Sequence, residues 1–419
     1  MITIVHAADL HVDSPMRGLA RLQEAPGEAV KGATRKALQN LVELTLREKA
    51  SLLLIAGDIF DGDWRDYNTG LFVHAQLSRL TSAGVHVVMI RGNHDAASQI
   101  TRNLRWPDGV IELPSKRPET VRLSGLRVAV HGQSYAVRDV RDDLAAAYPP
   151  SEPGMLNIGL LHTALSGREG HDTYAPASEQ TLTNKGYQYW ALGHVHTPEV
   201  VSDDPWIVFP GNIQGRSVRE VGSRGCAVLR ASDERIVELE RHDLDVLRWE
   251  VLTVDAAAHD TPERIVAEVK RELANKVSAA GGRQLVVRVH VAGATAAHDA
   301  ISREAKRWQA EVKAAGVEVS SDVIVEKVLL RTRPERGLSA DAVGAMADVQ
   351  RTIERLRHRP QELEELAAAL KGLADALPSE YFDLGDAVNP ADAFELAELL
   401  GEVDTLLGSR FATSDEEPS

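Results

Sequence analysis

Acids, imidazoles and one carboxamide recur where apolar runs end along the first half of this 419-residue chain. Asp9-Leu10-His11 follows "ITIVHAA", Gly57-Asp58 follows "SLLLIA", and Gly92-Asn93-His94-Asp95 follows "VHVVMIR". Later runs end in His162 and in Gly193-His194-Val195-His196. Alone, each is an ordinary turn; "GNHD" in particular reads as one, because Gly and Asn tolerate positive φ. Together they supply two carboxylates, one carboxamide and four or five imidazoles. Mixed nitrogen and oxygen donors without thiolate suit Mn, Fe or Zn rather than Ca, and the set is too large for one ion. Two ions ~3.5–4 Å apart, bridged by one carboxylate, would use all of it. The chemistry expected of such a pair is in-line attack of a metal-bound hydroxide on a phosphate ester.

Residues so far apart meet only if a fold brings the run ends together. The first three runs are strand-like and alternate with helical spacing over about 28–49 and 66–83. That is a βαβαβ start, which favours a parallel sheet with its site at the C-terminal strand edges. Shorter strands follow ("GVIEL", "TVRL", "LRVAVHGQ", "LNIGLLH", "YWALGH", "WIVFPG", "GCAVLR") with fewer helices. Two sheets packed face to face with helices outside would account for both halves. The domain pattern expected is 1–247, then a small α/β domain over 248–336, then an acidic helical region over 337–419. The last region carries apolar stripes at helical spacing: Leu363, Leu366, Leu370 and Leu373, then Leu396, Leu399, Leu400, Val403 and Leu407. They suit either a partner helix or packing on the chain's own second domain.

Apolar residues make up 43% and charged residues 26%, a soluble globular balance, and no apolar run is long enough to span a membrane. "MITIVHAADL" does not read as a signal peptide, and a cytoplasmic protein is expected. The single cysteine, Cys226, excludes an internal disulfide and a multi-cysteine zinc site. The net charge of −15 is uneven: residues 337–419 hold 6 Lys+Arg against 18 Asp+Glu, and the remainder is nearly neutral at −3. Charge therefore neither supports nor excludes a nucleic-acid substrate.

The series D-x-H, GD, GNHD, H and GHxH resembles the calcineurin-like metallophosphoesterase superfamily over roughly residues 1–245. Within it, "HAADLHVDSP", "AGDIFD", "GNHD", "LGHVH" and "VFPGNIQGRSVRE" resemble the SbcD-like DNA repair exonucleases, most closely the YhaO-type branch. The resemblance implies a four-layer αββα metallophosphoesterase sandwich with a dinuclear centre, usually supplied with Mn²⁺. It implies a small α/β domain in the position of a DNA-capping domain, with the helical C-terminal tail behind it. One metal would be held by Asp9, His11 and His196, the other by Asn93, His162 and His194, with Asp58 bridging. His94 would face the scissile phosphate, stabilising charge or protonating the leaving oxygen. Asp95 would bind no metal, and a hydrogen bond to His94 is expected of it. Where some of these nucleases carry a second histidine, this chain has Asp61, which either stands aside or orients His94 or the metal shell. Implied partners are DNA, an SMC-like coiled-coil ATPase and a second copy of the chain.

Of the other histidines, His6, His74, His86 and His131 read as structural, each satisfied by a backbone hydrogen bond; His131 is the one nearest in pattern to the pocket. His171 reads as part of a solvated loop. Arg216 and Arg219 either meet substrate phosphates or pair with Glu220 or a nearby acid. The function expected is a DNA exonuclease acting in repair. The alternatives are a phosphodiesterase for a nucleotide or other small diester, and a non-catalytic scaffold.

Overall fold

The computed structural model describes residues 1–16, 19, 30, 32–61, 67–97, 104–165, 175–232, 234–335, 348–349, 351–353, 355–356, 359–377 and 388–412. His171, most of the expected helix over 340–359, the side chain of Leu407 and the last residues, 413–419, lie outside them. The first compact unit holds Met1–Met16 and Gly27–Arg248, and the second runs from Trp249 on.

In the first unit, β1 (Ile2–Ala7), β2 (Leu52–Ala56), β3 (His86–Ile90) and β4 (Val110–Glu112) pair in parallel. A second sheet comprises β5 (Glu119–Leu123), β6 (Val128–Gly132), β7 (Leu156–His162), β8 (Tyr189–Gly193), β9 (Glu199–Asp203) and β10 (Trp206–Phe209). Two further strands, β11 (Gly225–Ser232) and β12 (Arg235–Asp243), return to the first sheet, β11 antiparallel to β1. The orders are β12-β11-β1-β2-β3-β4 and β5-β6-β7-β8-β10-β9.

Burial explains why these sequences are continuously apolar rather than alternating. Both faces of β2, "LLLIA", are covered, so every residue in it is buried. Leu53 and Ile55 face helices Ala33–Arg47 and Tyr67–Ser82, through Leu38, Leu41, Val73 and Leu77. Leu52, Leu54 and Ala56 face the second sheet, packing with Ile158, Leu160, Tyr189 and Ala191. Each such side chain contributes about 1.5–3 kcal/mol on burial. Beyond the second sheet lie Trp190, Leu192 and Phe209 against Tyr148 and Leu182, the last in the short helix Glu179–Thr183. This is a four-layer αββα sandwich.

The second unit holds β13 (Leu247–Asp255, which spans the boundary), β14 (Gln284–Ala294) and β15 (Val323–Arg333), in that order, with β14 and β15 parallel. Helices Pro262–Ala279 and Ala305–Val319 cover one face through Ile265, Val269, Leu273, Trp308 and Val312. In the same unit helices Pro360–Ala376 and Ala393–Ala412 pack on each other through Leu363, Ala367 and Leu396. Glu398 bonds Arg288 of β14 at 2.5 Å, and its carbonyl accepts from Arg331 of β15 at 3.3 Å. Of the tail's apolar stripes, Leu363 and Leu396 are thus turned inward, whereas Leu373 is exposed.

Candidate metal centre

The C-terminal ends of β1, β2 and β3 in one sheet and of β7 and β8 in the other carry the candidate residues, and each end leaves its strand abruptly. Asp9 (φ 52°), His11 (φ 41°), Asp58 (φ 50°) and His194 (φ 98°) all have positive φ, as does Gly57 (φ 91°). For non-glycine residues such backbone costs of order 1–3 kcal/mol each and persists only where its surroundings fix it. Here they do. The Asp9 and His11 amides donate to the Gly57 and Asp58 carbonyls at 3.1 and 3.0 Å. The His194 amide donates to Asp9 Oδ2 at 3.0 Å, and the His94 amide to Asp58 Oδ1 at 2.9 Å.

"GNHD" is not the expected turn. Residues Asn93–Ala97 form one short helical stretch, with the Ala96 amide on the Gly92 carbonyl. Gly92 is required by proximity rather than by φ: a β-carbon there would lie 2.2 Å from Asp58 Oδ1. Asp95 does not bond His94. Its buried carboxylate accepts from the amides of Ile59, Phe60 and Gly92 at 3.2, 3.0 and 3.1 Å, so it ties the end of β2 to the end of β3. The partner of His94 is Asp61, whose Oδ1 lies 2.9 Å from His94 Nδ1 and 3.6 Å from His11 Nδ1.

Two donor sets converge. Asp9, His11 and His196 each offer a ligand atom within 4.8 Å of the others, and so do Asp9, Asp58 and His162. Asn93 Oδ1 adjoins His162 Nε2 at 2.9 Å, and the His162 and His194 rings meet edge-on with centroids 5.2 Å apart. The carboxylates of Asp9 and Asp58 are each 1% exposed. Burial pushes Asp9 up to about 7, against the pull of nearby His196 and with the added push of Asp58's charge. Burial pushes His11 and His162 down to about 3, so both are neutral imidazoles at pH 7.

These groups fit a bound cation for a specific reason. His162 Nδ1 faces the Ala56 carbonyl at 2.9 Å, so it carries the ring's proton. Its Nε2 is then a bare lone pair, and it points at Asn93 Oδ1, also an acceptor. His196 repeats the arrangement: Nδ1 donates to the Glu220 carboxylate at 2.7 Å, leaving the Nε2 lone pair 3.3 Å from His11 Nε2 and 3.8 Å from Asp9 Oδ1. Buried acceptors aimed at one another are costly unless something positive lies among them. The donors are nitrogen and oxygen only, since Cys226 is buried within β11.

Residues 2–198 match the calcineurin-like phosphoesterase family, and residues 249–333 match the middle domain of the metallophosphoesterase YhaO. Residues 2–198 form a calcineurin-like phosphoesterase domain. The chain is 36% identical over 258 residues to YhaO of Bacillus subtilis, an uncharacterised metallophosphoesterase, covering 61% of this chain and 63% of that one. It is 26% identical over 304 residues to the DNA double-strand break repair protein Mre11 of Methanopyrus kandleri, covering 66% and 64%. A third match, 31% identical over 99 residues, is to one of the subunits of the SbcCD nuclease of Rhodobacter capsulatus, covering 23% and 22%. The matched stretches span less than two thirds of each relative.

Around this calcineurin-like phosphoesterase domain the remaining candidates have different surroundings. Arg216 is largely buried, with its guanidinium on Glu220 Oε1 at 3.2 Å and on Ser14 Oγ at 3.2 Å. The pairing with Glu220, one of the two roles expected of it, is therefore present. Arg219 is exposed, and its amide donates to Ser217 Oγ. His131 does not approach the pocket: Thr120 and Asn157 hold its two nitrogens at 2.8 and 3.0 Å, and it stacks on Tyr187. His6 is held by Tyr189 and the Leu192 carbonyl, and His86 is exposed at the start of β3. Of the roles the sequence leaves open for Asp61, the structure shows the contact with His94, whereas the sequence does not anticipate Glu220 beside His196. The one available signal was an acid following each basic or aspartyl motif, in "GDIFD" and "GRSVRE".

Proposed function

We propose that this chain is a dinuclear-metal phosphodiesterase, and that it acts on DNA as an exonuclease in repair. The observation that carries the reading is the convergence of these nitrogen and oxygen donors, with His162 and His196 each holding its proton on the nitrogen that faces away from the cluster. Asp9, His11 and His196 would hold one ion and Asn93, His162 and His194 the other, with Asp58 shared. Two divalent cations bound there, Mn²⁺ in this reading, supply activation of water and neutralisation of phosphate charge.

The chain's own contribution is positional. In this reading His94 holds neither ion, although it clusters with His11 and Asp61 in a third group of possible ligands, and its side chain is 29% exposed. With Nδ1 on Asp61, Nε2 is the atom left to meet a phosphate or protonate a leaving oxygen. Burial opposes a charge on His94, but the Asp61 hydrogen bond and Asp58's negative charge raise its pKa, which favours the protonated form that can donate. Asp61 itself stays ionised: burial would raise it, yet the nearby His11 ring and the hydrogen bonds from His94 and Ser14 hold it well below the usual carboxylate range. The names of the relatives, a double-strand break repair protein and a nuclease component, support DNA as substrate; an ATPase and a second copy of the chain are proposed as partners from the sequence resemblance alone. The near-neutral body of the chain keeps a small phosphodiester as the second reading.

The test is labelled duplex and single-stranded DNA incubated with Mn²⁺, beside a small chromogenic phosphodiester. Cleavage of DNA by the wild type, abolished in His94→Ala, is expected. Turnover of the small diester with no DNA cleavage, alone or with an ATPase partner, would leave only the second reading standing.

A further inference from the structure

We propose that Glu220 is a positioning residue for His196, fixing its tautomer and ring orientation so that Nε2 stays aimed at Asp9 and His11. The inference rests on the reading above that His196 is a metal ligand. Glu220 lies in the segment between β10 and β11, and among the described residues its carboxylate accepts hydrogen bonds from that segment and from His196. Oε1 accepts from His196 Nδ1 at 2.7 Å and Arg216 Nη2 at 3.2 Å. Oε2 accepts from the Arg216 amide at 2.6 Å and Asn212 Nδ2 at 2.9 Å. With both oxygens doubly bonded and the side chain 11% exposed, Glu220 has no capacity left for a metal or a substrate proton. Its work is done through His196.

The same segment grips the His196 main chain. Arg224 Nη1 donates to the His196 carbonyl at 2.5 Å while Nη2 donates to the Val221 carbonyl at 2.7 Å. At Gly211 a β-carbon would lie 2.6 Å from that carbonyl, so the backbone is pressed against it. Main chain and ring are therefore held by one loop, and Arg216 serves as counter-ion to the acid that holds the ring. This gives Arg216 a definite task in the pairing with Glu220, one of the two roles its sequence context offered. A histidine without such a partner populates both tautomers and several ring angles, and only one combination presents Nε2 to the cluster.

The test is calorimetric titration of Mn²⁺ into full-length, chelator-stripped protein. Wild type, Glu220→Gln and His196→Ala are compared, with circular dichroism to confirm folding. Glu220→Gln is expected to weaken one Mn²⁺ site by about 10–100-fold and to spare the other. His196→Ala is expected to lose that same site. If His196→Ala loses a site while folded Glu220→Gln binds as wild type does, the positioning role is overturned and the metal reading stands. If His196→Ala binds both ions normally, the metal reading itself falls. An independent readout covers the case in which Glu220→Gln does not fold. The ¹⁵N shifts of His196 in the wild-type apoprotein should show Nδ1 protonated, and a proton on Nε2 would overturn the proposal.

Discussion

At Gly92 there is no room for a methyl group: its β-carbon would lie 2.2 Å from Asp58 Oδ1 and 2.8 Å from His162 Cε1. Gly92→Ala should therefore push both side chains out of place, weakening Mn²⁺ binding at least tenfold in a calorimetric titration. Asp61→Asn probes a different contact. It exchanges the acceptor for His94 Nδ1 while replacing none of the proposed ligands, so DNA cleavage should drop by about 10²-fold with Mn²⁺ stoichiometry unchanged. Loss of metal in Asp61→Asn would instead place it in the metal shell through His11, 3.6 Å away. At this scale the sequence displays residue types well, because D-x-H, GNHD and GHxH are local patterns. It leaves open which group Asp61 contacts, and it does not display the pairing of Glu220 with His196. Both depend on side-chain rotamers and on strands that meet only in the folded sheet. Asp95 shows the limit: next to His94 in the chain, its carboxylate points to the backbone of residues 59, 60 and 92 instead.

Among the elements, the strand ends do the positioning, and Asp95 is the brace between two of them. Asp95→Ala would leave three buried backbone amides without their acceptor, each costing about 1–3 kcal/mol. Calorimetry should show the transition of the first unit falling by several degrees or more, and a shift within error would show that water replaces the carboxylate without cost. The alternation of β-rich runs with helical spacing makes the first sheet and helices Ala33–Arg47 and Tyr67–Ser82 readable from sequence. The positive φ values at Asp9, His11, Asp58 and His194 are not readable, because these residue types do not require them. Tertiary hydrogen bonds impose that backbone, and so a motif that looks like a turn folds as the first turn of a helix at residues 93–97.

For the molecule as a whole, acidity and chemistry are segregated. The metal candidates lie in a nearly neutral first unit, whereas residues 337–419 carry most of the negative charge. Part of that acidity is internal to the second unit, where Arg288 is held by Glu326 at 2.8 and 2.9 Å as well as by Glu398. Glu398→Ala should loosen helix Ala393–Ala412 and speed limited proteolysis within residues 388–412, leaving the melting of the first unit unchanged. Among the described residues no helix is long and apolar enough to cross a membrane. The central claim is that two cations share Asp58, and anomalous diffraction at the manganese edge from Mn²⁺-soaked crystals tests it most directly. Two peaks ~3.5–4 Å apart flanking the Asp58 carboxylate are predicted; a single peak, or none beside Asp58, would contradict the account.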